Sequence, residues 1–184
     1  VLKQMLLNKF ITSEEFDKWV NPNEMTGNVM LKLKFRKFTS DDAEKFKSLN
    51  VEWLEKFFKV EPIDEKVLSN PKSEILDPGG FIIMAEINSQ VIGTFAYIKK
   101  GCRLYEFSKM AINPNHRGKG YGNIMMKYAI SFAKKHKWKK IILYSNTILK
   151  NSIHLYRKYG FIEIKMEETV IYSRGNIKME LDLV

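Results

Sequence analysis

The sequence predicts an α/β or α+β fold: a single mixed sheet of about six or seven strands with helices on both faces. Three observations carry this. Strand-like and helix-like runs alternate along the chain instead of segregating into halves. Two apolar runs, Phe81 to Ile87 and Val91 to Lys99, flank the turn Asn88-Ser89-Gln90, as in an antiparallel hairpin. A length of 184 residues with 45% hydrophobic content suits one domain with one substantial core.

Taken in order, residues 1–29 read as an N-terminal helical extension ahead of a domain spanning 30–184. Thr12-Ser13-Glu14-Glu15 has the form of a capping box before Phe16, Trp19 and Val20, and Asn21-Pro22-Asn23 breaks the helix. These short helices would pack on the domain or on a neighbouring subunit, which leaves a homodimer open. Met30 is also a natural domain start, so the extension is open to being a gene-boundary artefact. Leu31, Leu33 and Phe35 alternate with Lys32, Lys34 and Arg36, the pattern of a half-buried strand. Ser40 or Asp41 would cap a helix running to about Phe58. Pro62 to Pro78 reads as irregular or broken helix, after which Gly79-Gly80 introduces the hairpin. Arg103 to Ile112 is a third long strand. Residues 120–136 form a helix with Tyr121, Met125, Tyr128, Ala129 and Phe132 at core spacing. Ile141 to Ser145 is a buried strand, Leu149 to Tyr159 a helix stopped near Gly160, and Phe161 to Met166 and Ile177 to Leu183 are closing strands.

Composition excludes several classes. No run approaches the ~20 apolar residues of a membrane span, and the apolar part of the start is too short for a signal peptide. Cys102 is the sole cysteine, so no intrachain disulfide forms and a cytoplasmic setting is expected. Cys102 itself reads as structural or incidental. His116, His136 and His154 lack metal-ligand spacing, and no metal is expected. The net charge of +10 is local: residues 99–140 hold twelve cations against one acid, Glu106. Such a field suits a polyanionic ligand; a solvated basic face is the plainer reading, above all for Lys134 to Lys140. Nucleic acid is disfavoured, because lysine far outnumbers arginine and no aromatic residues interleave the basic ones as a platform.

The most informative stretch is Arg117-Gly118-Lys119-Gly120-Tyr121-Gly122, between the third long strand and the following helix. Glycines at such a junction leave backbone N–H groups uncovered at a helix N-terminus, a seat for a phosphate, with Arg117 and Lys119 beside it. The spacing does not fit a P-loop, which ends Gly-Lys-Ser/Thr. It does not fit the dinucleotide fingerprint either, and no acidic residue follows about twenty positions on.

Arg-x-x-Gly-x-Gly after a strand resembles the pyrophosphate-binding signature of the GNAT superfamily of N-acetyltransferases. A second block, Leu155-Tyr156-Arg157-Lys158-Tyr159-Gly160-Phe161, is similar to that family's Leu-Tyr-x-Lys-x-Gly-Phe helix end. The resemblance runs from about residue 30 to the C-terminus. It implies a mostly antiparallel sheet that splays between its central strands, acetyl-CoA as cosubstrate, and acetyl transfer to a primary amine in a ternary complex. The acceptor would be a small amine or amino acid derivative, or a peptide. A protein that binds coenzyme A without turnover, as sensor or scaffold, is the alternative.

The same resemblance assigns candidate residues. Backbone amides of 117–122 would hold the pyrophosphate, and a backbone N–H near Met110, Ala111 or Ile112 would polarise the thioester carbonyl. Tyr156 would protonate the leaving thiolate, or else pack as a core aromatic. Glu106 would be the general base, or else pair with a nearby lysine. Asn146 would bond pantetheine or substrate, or else cap the next helix with Thr147. Trp53, Phe57, Phe58 and Glu61 would line the acceptor pocket, with helix core the competing use of the aromatics.

Overall fold

The computed structural model describes residues 33–168 and 173–183. The expected N-terminal extension lies outside these residues. Among those described, the elements are β1 (Lys34–Lys37), α1 (Ala43–Phe57), α2 (Pro62–Ser69), β2 (Phe81–Ile87), β3 (Gln90–Gly101), β4 (Leu104–Ile112), α3 (Tyr121–Lys135), β5 (Lys140–Ser145), α4 (Lys150–Lys158), β6 (Ile162–Ile164) and β7 (Ile177–Asp182). The sheet has seven strands in the order β1-β2-β3-β4-β5-β7-β6. Every neighbouring pair is antiparallel except β4–β5.

The two faces follow from the pleat, which sends successive side chains to opposite sides. On one face Ile82, Met84 and Ala96 meet Phe46, Leu54, Val67 and Leu68 of α1 and α2 in one buried cluster. On the other, Phe95 and Tyr97 meet α3: Phe95 lies 6.4 Å from Tyr128, and the Tyr97 hydroxyl donates to the Ala129 carbonyl at 2.8 Å. Trp138 stacks on Tyr105 at 3.6 Å and seals the far end of that face.

Two boundaries differ from the sequence reading, and a third segment takes one of its two expected forms. The helix expected from Ser40 starts as a 3-10 turn over Ser40–Asp42. Its anchor is Asp42, whose carboxylate accepts from the Thr39 N–H at 2.8 Å and from Arg36 at 2.6 and 2.7 Å. The stretch 62–78 is a broken helix, one of the two forms expected of it. Glu61 and Pro62 open α2 with Pro at a first-turn position, where its missing N–H costs nothing, and a π-turn covers Lys72–Leu76. The strand expected over Phe161 to Met166 shrinks to Ile162–Ile164, a short edge that limits stray pairing.

No helix among the described residues is long and apolar enough to cross a membrane. Gly80 sits where the π-turn feeds β2, and a Cβ there would lie 2.4 Å from the Tyr97 carbonyl and 2.5 Å from that of Ile75. Both neighbours are backbone, so neither gives way. Gly80→Ala is therefore expected to lower stability by about 2 kcal/mol, measured as a reduced urea midpoint at unchanged slope.

Candidate functional site

The site begins where the sheet stops being a sheet. The β4–β5 register runs only through Leu104–Lys140, Tyr105–Ile141 and Glu106–Ile142. Beyond Glu106 the two strands part, and the amides along that edge of β4 face a split instead of a neighbour. A bulge lies in the same stretch: β4 pairs with β3 at Ser108–Ala96 and again at Ala111–Thr94, leaving Lys109 and Met110 opposite Phe95. Lys109 takes φ +53°, the left-handed conformation that glycine usually supplies at such a bulge. Met110 and Ile112 are half-buried and Ala111 is buried at this lip.

The loop after β4 forms the second wall. A 3-10 turn over Pro114–His116 is held by the Asn113 side chain, which accepts from the Asn115 N–H at 3.0 Å. Gly118 and Gly120 then take φ +74° and +82°, and open space surrounds the Cβ position of each. Gly120 is the N-cap of α3, so no side chain caps the helix, and its first turn holds no acid. An α-helix leaves its first N–H groups without intrahelical acceptors, and here they face outward as an uncovered positive pole. Gly122 is ordinary helix, its would-be Cβ 3.6 Å from Leu155.

Arg117 does not add to that pole as expected. Its Nε donates to the Ile112 carbonyl at 2.8 Å, and its guanidinium pairs with Glu52 of α1. Lys119 is exposed. The basic segment as a whole is less concentrated than its sequence suggests. Lys100, Lys109, Arg117 and Lys140 each pair with a carboxylate. Lys134 and Lys135 close α3, about 22 Å from its N-terminus at 1.5 Å per residue. They belong to a solvated face and not to the seat.

From the other side comes α4. Its C-terminal end is bound to the start of α3: Lys158 Nζ and the Tyr159 hydroxyl both reach Asn123, at 2.6 and 3.3 Å. This fixes Tyr156 edge-on to Phe107, ring centroids 6.4 Å apart, just past the last β4–β5 pair. Burial pushes the Tyr156 hydroxyl up to about 12, with a Ser152 hydrogen bond working the other way. It therefore stays protonated through the neutral range and has a proton to give.

Two expected residues have prior engagements. Glu106 is 2% exposed and paired with Lys100 at 2.8 Å, the ion-pair alternative. Asn146 spends both ends of its amide inside the fold, accepting from the Ile148 N–H at 2.9 Å and donating to the Arg174 carbonyl at 2.6 Å. It caps the turn before α4 and is not available to a ligand as oriented. Of the aromatics, Phe57 is 43% exposed, while Trp53 packs on the core cluster and stands edge-on to Phe58.

The sequence reading missed the polar centre of the face covered by α1 and α2. Asp64 of α2 is fully buried and accepts from Lys109 Nζ at 3.0 Å and from both terminal nitrogens of Arg174, at 2.6 and 2.9 Å. Glu61 joins it through Arg174 and Ser173. Burial pushes the Asp64 carboxyl up, but the bonds from Arg174 and Lys109 outweigh it and hold the group below its ordinary value. Burial pushes the Lys109 ammonium down, and there the attraction of Asp64 does not make up the difference because Arg174 adds repulsion. Asp64 faces two cations, whereas Lys109 shares Asp64 with Arg174. The one signal in the sequence was a lysine at position 109 with the same parity as Tyr105 and Phe107, inside an apolar strand.

A depressed carboxyl contributes stability that is complete above its unfolded pKa, near 4, and is lost as pH falls through the folded value. Asp64→Asn should thus cost about 3 kcal/mol at pH 7 by stranding buried cations. The gap to wild type should narrow below about pH 4, as followed by urea unfolding at several pH values.

Comparison with known proteins agrees with this geometry. The sequence model of the acetyltransferase (GNAT) family matches residues 44–161. A search of curated protein sequences finds no match. Among solved structures, a GNAT-family acetyltransferase from Staphylococcus aureus superposes with TM-score 0.75 at 19% identity, covering 83% of this chain and 99% of the other. A Bacillus subtilis acetyltransferase in complex with CoA gives 0.64 at 18% identity, covering 83% and 100%. The spermidine N-acetyltransferase of Vibrio cholerae in complex with CoA and spermine gives 0.63 at 23% identity, covering 82% and 95%.

Proposed function

The chain belongs to the acetyltransferase (GNAT) family, and from that premise we propose that it moves the acetyl group of acetyl-CoA directly to a primary amine. The observation that carries this is the juxtaposition of an uncapped, glycine-lined N-terminus of α3 with a split in the sheet that Tyr156 overlooks. The amides of 118–122 bind the pyrophosphate of the cosubstrate, and the open Cβ positions of Gly118 and Gly120 leave it room. Arg117 supports this loop from behind, through Ile112 and Glu52, and Lys119 meets the phosphates from solvent. The unpaired edge of β4 beyond Glu106 offers amides to the pantetheine arm, as a sheet edge does to an added strand.

In the transfer, the amine nitrogen bonds to the thioester carbonyl carbon and the carbon–sulfur bond breaks. An amide in Met110–Ile112 receives the negative charge that develops on oxygen. Tyr156 gives its proton to the departing thiolate. The proton leaving the amine passes to solvent or to Glu106, which must first part from Lys100. The acceptor enters from the face of α1 and α2, beside Trp53, Phe58 and Arg174, where the Arg174 guanidinium lies 5.9 Å from the Phe58 ring. A structural neighbour that is a spermidine N-acetyltransferase, solved with CoA and spermine, supports a small amine as acceptor.

Thiol release from acetyl-CoA across a panel of amines, amino acid derivatives and peptides tests the proposal. Amine-dependent release is expected; tight binding of acetyl-CoA with no release on any acceptor would instead indicate a sensor or scaffold. Gly120→Glu, which sets a carboxylate where the phosphates sit, should abolish calorimetric binding of acetyl-CoA while the far-ultraviolet dichroism stays unchanged. Tyr156→Phe should lower kcat by about 100-fold with acetyl-CoA affinity retained, and an unchanged kcat would remove Tyr156 from the mechanism.

A further inference from the structure

We propose that the Lys109–Asp64 ion pair is a positioning device that holds the β4 bulge, and through it the amides of Met110 and Ala111, in line with the carbonyl oxygen of the acetyl thioester. The proposal rests on the acetyl-CoA reading above.

The argument begins with strain. A non-glycine residue in the left-handed region is strained, and persists only where its surroundings over-determine it. Lys109, at φ +53°, is such a residue, and it stands three positions past the last β4–β5 pair, inside the split. In an unbulged strand its side chain would share the face of Tyr105 and Phe107, among the aromatics packed against α3. The extra residue turns it instead to the face of α2, where Asp64 waits at 3.0 Å.

The anchor is as fixed as the tether. Asp64 is fully buried, two nitrogens of Arg174 hold its carboxylate, and it accepts from the Glu61 N–H at 3.2 Å at the start of α2. One carboxylate thus joins α2, the segment before β7 and the bulge. Lys109 is itself 7% exposed, so its ammonium was taken from water to make this contact. The consequence for chemistry is directional. An extra residue in β4 changes which amides face β3 and which face the split, and pairing resumes only at Ala111–Thr94. The bulge therefore sets where the donors of residues 110 and 111 point, and the ion pair sets the bulge. Lys109 in this role is a positioning residue that acts through the backbone.

Isotope-edited infrared spectra of acetyl-CoA labelled with carbon-13 at the carbonyl read the polarisation directly, and calorimetry gives affinities for acetyl-CoA and CoA. Wild type should lower the stretching frequency of the bound carbonyl and prefer acetyl-CoA over CoA. Lys109→Met keeps the length but not the charge; it should lose the frequency shift and reduce that preference about fivefold, with CoA affinity retained. Lys109→Gly, which adopts positive φ without strain, should recover most of the shift. A wild-type shift in Lys109→Met would overturn the proposal. So would an equal loss in the Met and Gly variants, which would mean that the ammonium itself meets the carbonyl. Loss of CoA affinity in Lys109→Met would also overturn it, since the pair would then act on the fold at large. An unshifted carbonyl in the wild-type complex removes this inference alone, whereas no wild-type binding of acetyl-CoA removes the reading beneath it.

Discussion

The ladder between β4 and β5 ends after three residue pairs, and the architecture of the site follows from that ending. Parallel strands side by side satisfy each other's amides; strands that part must leave some for another partner. Here the parting is imposed from both faces. On one, α1 and α2 press Asp64 against the bulge of β4. On the other, α3 and α4 are bound to each other through Asn123, and α4 presents Tyr156 to Phe107. The split is thus a supported opening with a helix N-terminus at its rim, and each of its walls comes from a different part of the chain.

Electrostatics refine the picture. A segment rich in lysine suggests a broad positive field, yet several of its cations are already neutralised: Lys100 by Glu106, Lys109 by Asp64, Arg117 by Glu52 and Lys140 by Glu180 and Asp182. What remains near the glycine loop is largely the backbone's own polarity, which is fixed in direction and needs no side-chain ordering to act. For the proposed phosphate ligand, this arrangement favours recognition by geometry over attraction by bulk charge.

Much of this was legible in the sequence where the signal was local. The glycines at 118 and 120 announce positive φ, the hairpin is marked by Asn88 and Ser89, both left-handed, and Tyr156 stands within a motif that fixes its helix. What was not legible depends on distance along the chain. Asp64 meets Lys109 across 45 residues and Arg174 across 110, so no window contains the cluster. The partner of Arg117 was hidden for the same reason: its neighbours in sequence suggest a phosphate, while its guanidinium pairs with Glu52, 65 positions away. For Asn146 the sequence left two uses open, and the structure takes the local one: an Asx residue before a helix bonds its own backbone neighbourhood first.

The strand order β5-β7-β6 has a consequence for how the molecule comes into being. The seventh strand is wedged between two that precede it in synthesis. A nascent chain that has emerged only as far as Ile164 therefore carries an open β5 border, with Ile141, Ile142 and Leu143 awaiting cover. Until Ile177–Asp182 arrives, that border is a template for the wrong strand, including one from another ribosome. The sheet can be completed only by insertion, a non-local step, so the rate of its closure and its exposure to aggregation are set by the same late segment.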